Sequence, residues 1–113
     1  MTFTVGREND VSVFSMDGEL TVGNRQDLKR GVLDAVANGE RKILIDFAET
    51  SYIDSSGLGV LVSLSKRIRE SGGELRLATL NEDLGTLFEL TRLDTLFHIA
   101  DDRSAALADL SER

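Results

Sequence analysis

Residues 54–59 read Asp54-Ser55-Ser56-Gly57-Leu58-Gly59, which concentrates capping side chains, hydroxyls and glycines where a helix should begin. Asp and Ser are good N-cap types, because their side-chain oxygens accept the unpaired amide hydrogens of a helix start. Ser55 or Ser56 can therefore be read simply as a cap, and Asp54 either as a cap that steadies the loop or as a group that orients a serine hydroxyl. Gly57 and Gly59 then fall in the first turn, where each interior glycine costs roughly 1 kcal/mol relative to Ala. Two in one turn indicate a close approach to the backbone, by an internal strand or by an external partner. The product is a hydroxyl-bearing, side-chain-poor helix N-terminus, where the helix dipole favours negative charge and a phosphate is tolerated.

Other chemistries lack their residues. His98 is the only histidine, so a Ser-His-Asp triad would have to use it. It stands between Phe97 and Ile99 and reads as an ordinary strand residue. The serine run is not Gly-x-Ser-x-Gly, and no loop ends in Gly-Lys-Ser/Thr, so neither a nucleophile elbow nor nucleotide hydrolysis has its motif. A small hydrolase using Ser55 lacks a second catalytic base. Asp101-Asp102 reads as the lead into a helix, where negative charge helps. There are no cysteines, which excludes a disulfide framework, cysteine-based zinc sites and thiol catalysis. No metal or cofactor is expected.

The chain has 113 residues, the length of one domain, with 20 acidic and 13 basic residues and a net charge of −7. That balance argues against binding nucleic acid or an anionic membrane, both of which need a basic footprint. The cluster Lys66-Arg67-Ile68-Arg69 is a solvated flank near a helix C-terminus. No apolar run reaches the ~18 residues of a membrane span. The first residues lack the basic and apolar regions of a signal peptide, so a cytoplasmic location is expected.

Elements that would position the serine run follow from periodicity. Phe3 and Val5 alternate as a short edge strand, and Glu8-Asn9-Asp10 turns into a second strand over about Val11–Asp17. The apolar phase shifts between Val13 and Phe14, which suggests a bulge there. Asn24 is the expected cap of a helix to about Asn38, stopped by Gly39. Lys42–Phe47 holds a continuous apolar run, expected of a strand covered on both faces, and Ala48–Ile53 reads as a loop. The next helix runs from about Ser56 to Ser71, with Leu58, Leu61, Val62 and Ile68 inward. Glu74–Leu80 is a strand, Asn81 caps a helix, Leu96–Ile99 is a short strand and Ser104–Ser111 a last helix. Strands alternating with helices predict an α/β domain with a mostly parallel mixed sheet, an antiparallel N-terminal edge strand and about four helices.

The serine run and its surroundings resemble the STAS family of anti-sigma factor antagonists. Asp54-Ser55-Ser56-Gly57-Leu58-Gly59 is similar to that family's phosphorylation loop. Gly18-Glu19-Leu20, Lys42–Phe47, Gly72-Gly73-Glu74-Leu75 and Leu87-Phe88-Glu89-Leu90-Thr91-Arg92-Leu93 match its other landmarks, over nearly the whole chain. The resemblance implies a single STAS domain over 1–113, without catalysis of its own, with Ser55 as the phosphoacceptor. Unphosphorylated, it would bind a serine-kinase anti-sigma factor and free the sigma factor; phosphorylation would end binding, and a metal-dependent serine phosphatase would restore it. Asp54, Ser56, Gly57, Leu58, Gly59 and Thr21 are the expected partner contacts, with Gly57, Leu58 and Gly59 exposed. The free protein is expected to be a monomer. One departure stands out: where many members continue Gly-Glu-Leu-Asp, this chain reads Thr21-Val22-Gly23-Asn24 after Leu20. The other implied reading is a stand-alone STAS adaptor of a transport or other signalling assembly.

Overall fold

The computed structural model describes residues 3–111. β1 (Phe3–Glu8) and β2 (Val11–Leu20) form an antiparallel hairpin, turned through Asn9 at φ 59°, a left-handed conformation that Asn tolerates better than most residues. The chain continues through α1 (Arg25–Ala37), β3 (Lys42–Ile53), α2 (Ser55–Glu70), β4 (Glu74–Ala78), α3 (Glu82–Leu90), a 3-10 turn at Leu93–Thr95, β5 (His98–Ala100) and α4 (Arg103–Ser111). The sheet order is β1-β2-β3-β4-β5, and every pair after the first is parallel. The α/β architecture with its antiparallel edge is therefore the one the spacing predicts.

Both faces of the sheet are covered, unequally. α1, α2 and α3 all lie on one face, where Leu28, Val32, Leu61, Leu64, Leu84 and Phe88 meet Phe14, Ile43, Ile45 and Leu77. The other face carries only α4, whose Ala106 and Leu110 cover Val11, Val13, Leu44 and Ala78. Polar clamps assist that thin layer. Arg103 at the start of α4 donates from Nε to the buried Asp46 at 2.9 Å, from Nη1 to Glu8 at 3.1 Å and from Nη2 to the Ser15 hydroxyl at 2.6 Å. Asp109, near the end of α4, pairs with the buried Arg76.

The double cover corrects the expected bulge between Val13 and Phe14. Val13 packs under α4 and Phe14 under the three helices, so consecutive apolar residues need no extra residue. The register shifts instead between Ser15 and Asp17 and between Gly18 and Glu19. Ala48–Ile53 is not a loop. β3 runs unbroken to Ile53 and pairs with a β2 that continues to Leu20. The segment is polar because its outward residues lie beyond the face that α4 covers; Glu49, Ser51 and Tyr52 are exposed. β4 stops at Ala78, since Thr79 takes φ 64° and leaves the sheet. β5 starts at His98 rather than Leu96, and Val62 is 38% exposed rather than inward.

Candidate functional site

The serine run sits where β3 ends and α2 begins, beside the β2–α1 connection. Asp54 is the N-cap, in extended backbone, and helical residues start at Ser55. One oxygen of Asp54 accepts from the Gly57 amide at 2.8 Å and from the Ser56 hydroxyl at 2.7 Å. The other accepts from the Val22 amide at 3.2 Å, and the Asp54 amide donates to the Leu20 carbonyl at 3.1 Å. Asp54 thus ties the Thr21–Asn24 connection to the head of α2. The Ser56 hydroxyl, then the Gly57 amide and the other amides around it, hold the Asp54 carboxyl below the usual carboxylate range. A negative charge therefore stands next to Ser55 at neutral pH.

The two serines differ. The Ser56 hydroxyl is committed to Asp54. Ser55 is exposed, and its hydroxyl has no hydrogen-bond partner among the described residues. Asp54 serves the cap and the loop; it does not orient the Ser55 hydroxyl. His98 lies on β5 and lines a cavity beside Ser65 and Arg69, far along α2 from Ser55. The arrangement offers a free hydroxyl at a helix N-terminus, beside a carboxylate, Asp54, that is committed to Ser56, Gly57 and Val22.

The glycines divide as well. Gly57 is buried: an added Cβ would stand 2.6 Å from the Leu20 carbonyl oxygen and 3.0 Å from side-chain atoms of Leu20 and Ile53. That close approach is internal, between the helix head and the end of β2, so the expectation of an outward Gly57 is corrected. Leu58, at 9% exposure, packs into the core: its inward place on the α2 stripe holds, and its expected exposure beside the glycines is corrected. Gly59 is exposed, and a Cβ there would meet nothing within 4 Å.

Thr21 is half-buried. Its amide donates to the Asn24 side chain at 2.9 Å, and its hydroxyl accepts from the Gly23 amide at 3.3 Å. Asn24 occupies the N-cap position of α1 but makes no capping bond. Its side chain turns back to Thr21 and to the Glu19 carbonyl, at 2.6 Å. This stretch folds as a closed turn that leaves Val22 68% exposed. Val22 is the site residue that pattern reading missed, because the Val22–Asp54 bond joins positions 32 apart through a backbone amide. Asn81, by contrast, caps α3 as expected, accepting from the Leu84 amide at 2.8 Å.

Comparison with known proteins places the chain in a family and matches its fold. The family model for the STAS domain matches residues 3–106. The anti-sigma-B factor antagonist of Bacillus subtilis is 34% identical, over 82% of this chain and 84% of its own. TM1081 of Thermotoga maritima, solved by NMR, superposes with a TM-score of 0.89 at 31% identity, covering 100% of this chain and 91% of that one. The Bacillus protein SpoIIAA in its phosphorylated form superposes with a TM-score of 0.75 at 18% identity, over 95% and 97% of the two chains, and shares the fold. The described residues include no helix long and apolar enough to cross a membrane. The chain belongs to the STAS family of anti-sigma factor antagonists.

Proposed function

We propose that this protein is a phosphorylation-controlled switch. Its unphosphorylated form binds a serine-kinase anti-sigma factor and so releases the sigma factor. The kinase transfers the γ-phosphoryl group of ATP to the Ser55 oxygen, which loses its proton, and the complex comes apart. A metal-dependent serine phosphatase reverses the modification. One observation carries the reading: of the two adjacent serines, only Ser55 has an exposed, uncommitted hydroxyl. That a like-folded Bacillus protein exists in a phosphorylated form supports it further. Between partners, Gly59 and Val22 offer outward surface beside Ser55, while Asp54, Ser56 and Thr21 shape the two loops from within.

The physical switch is local charge. A phosphate adds about −1.5 to −2 at pH 7. It would lie next to the ionised Asp54 and inside a packed interface that cannot hydrate it. A hundredfold loss of affinity needs only ~2.8 kcal/mol. The experiment is to recover the bound kinase by pull-down, incubate it with this protein and ATP, and locate the phosphate by fragment mass spectrometry. One phosphate at Ser55 is expected, abolished by Ser55→Ala and retained by Ser56→Ala. Efficient phosphorylation of the Ser55→Ala protein would end the assignment.

A further inference from the structure

α3 carries a glycine that the fold does not explain. Gly85 lies in the helix interior, where glycine lowers helix propensity, yet a Cβ there would meet nothing within 4 Å. Its backbone is not left-handed, so any residue would fit. The space beside it is an open groove of about 300 Å³ between α3 and β5. Leu80, Phe88 and Ile99 make its walls apolar; Phe88 is buried, and Ile99 remains 36% exposed. β5 is the last strand of the sheet and has a neighbour on one side only, so its outer backbone groups have no strand to pair with among the described residues.

The rim is acidic. Glu89, Asp94 and Asp101 line the groove and are exposed, and none of their side chains has an ion-pair or hydrogen-bond partner among the described residues. Arg92, in the turn between Glu89 and Asp94, pairs with none of them. An extended chain can add to the outer edge of β5 as a sixth strand. Ile99 pairs with Leu77 and shares its face of the sheet, the face that α3 covers. Side chains of an added strand reach that face at every second position. The middle one must be apolar, to sit by Ile99 where Gly85 leaves room. The ones two positions before and after it come level with the rim and must be cationic. A second copy of this chain, at net charge −7, is repelled by the same rim.

We propose that the α3–β5 groove docks an extended segment of a partner protein, in which an apolar residue has Lys or Arg two positions away on either side. Titrating the whole ¹⁵N-labelled protein with the blocked peptide Arg-Thr-Leu-Thr-Arg, and separately with Glu-Thr-Leu-Thr-Glu, tests this. Saturable amide shifts are expected at Gly85, Glu89, Ile99 and Ala100, with the basic peptide only. Gly85→Leu fills the groove from open space; it should melt no lower than the wild type and weaken binding about tenfold or more. Asp94→Asn combined with Asp101→Asn keeps the shape of the groove and should weaken binding about three- to tenfold. No saturable shift with the basic peptide, an equal response to the acidic one, or binding that Gly85→Leu leaves unchanged would overturn the proposal. So would a concentration-dependent dimer in sedimentation that Gly85→Leu dissolves, since a second copy would then be the occupant.

Discussion

The inner and outer sides of one helical turn do opposite work. Inside, Gly57, Leu58 and the Asp54 carboxylate are engaged with Leu20, Ile53, Ser56 and Val22. Outside, Ser55 and Gly59 touch nothing that holds them. The difference teaches that a glycine-rich run is not one signal. Gly57 has an internal reason, since a Cβ would collide with a backbone oxygen. Gly59 has none within the fold, and its helix-propensity cost of roughly 1 kcal/mol is offset by nothing among its described neighbours.

The largest effect should come from the inner side. The Leu20 carbonyl that a Gly57 side chain would strike also accepts the Asp54 amide, so the head of α2 and the end of β2 must part together. Gly57→Ala should cost about 1–3 kcal/mol, and Gly57→Lys should prevent a cooperative melt. On the outer side, Gly59→Lys should melt at or a few degrees above the wild type, because it removes the glycine's propensity cost, and lose kinase binding. Thermal melts paired with affinity measurements separate the two. If both lysine variants melt normally, the inward assignment of Gly57 fails.

A smaller effect is expected from phosphorylating Ser55. The helix dipole favours the phosphate by ~0.3–1 kcal/mol, and repulsion from Asp54 opposes it by a similar order. Stability should change by no more than about 1 kcal/mol, or roughly 4–8 °C in melting temperature. Amide shifts should stay within the loop and the first turn of α2. Widespread shifts through Ile43–Ile45 and Leu75–Leu77 would mean that the inner side rearranges too, and that the mechanism is not local charge.

The smallest effect concerns acid. Asp54 is held below its ordinary range in the folded state, so its contribution is fully present above the unfolded value. It is lost as pH falls through the folded one, below about pH 4. Asp54→Asn keeps a capping oxygen but removes the charge. Its stability should therefore fall less steeply on acidification than that of the wild type, measured by urea melts across pH 2–6. Part of the acid limb should remain, because Ser12 and Arg7 lower Glu40, and Lys42 lowers Asp10. An unchanged limb would show that the Asp54 network forms equally in the unfolded chain.

Much of this was readable in the sequence, for identifiable reasons. The order of elements came from periodicity, because helices and buried strands differ in period and the caps at Asp54 and Asn81 announce their helices. The end of β3 was hidden, because uncovered strand residues look like loop residues. At the site, residue types located the loop, and the family resemblance, not the residues themselves, pointed to Ser55. Neither revealed which glycine faces inward, since that depends on where Leu20 passes. Nor did Leu75-Arg76-Leu77 betray a buried arginine; alternation suggests a solvent-facing one until Asp109, 33 positions away, is brought over it.

α4 follows every strand it covers. Until it docks, Val11, Val13, Leu44 and Ala78 face water on a finished but half-dressed sheet. Its closing contact joins Arg103 to Glu8 on β1, Ser15 on β2 and Asp46 on β3. Those three side chains converge only if both strand pairs are in register, for a one-residue slip would turn a partner to the opposite face. The last helix thereby reads the alignment of the first three strands: its three polar contacts form together only on a correctly registered sheet.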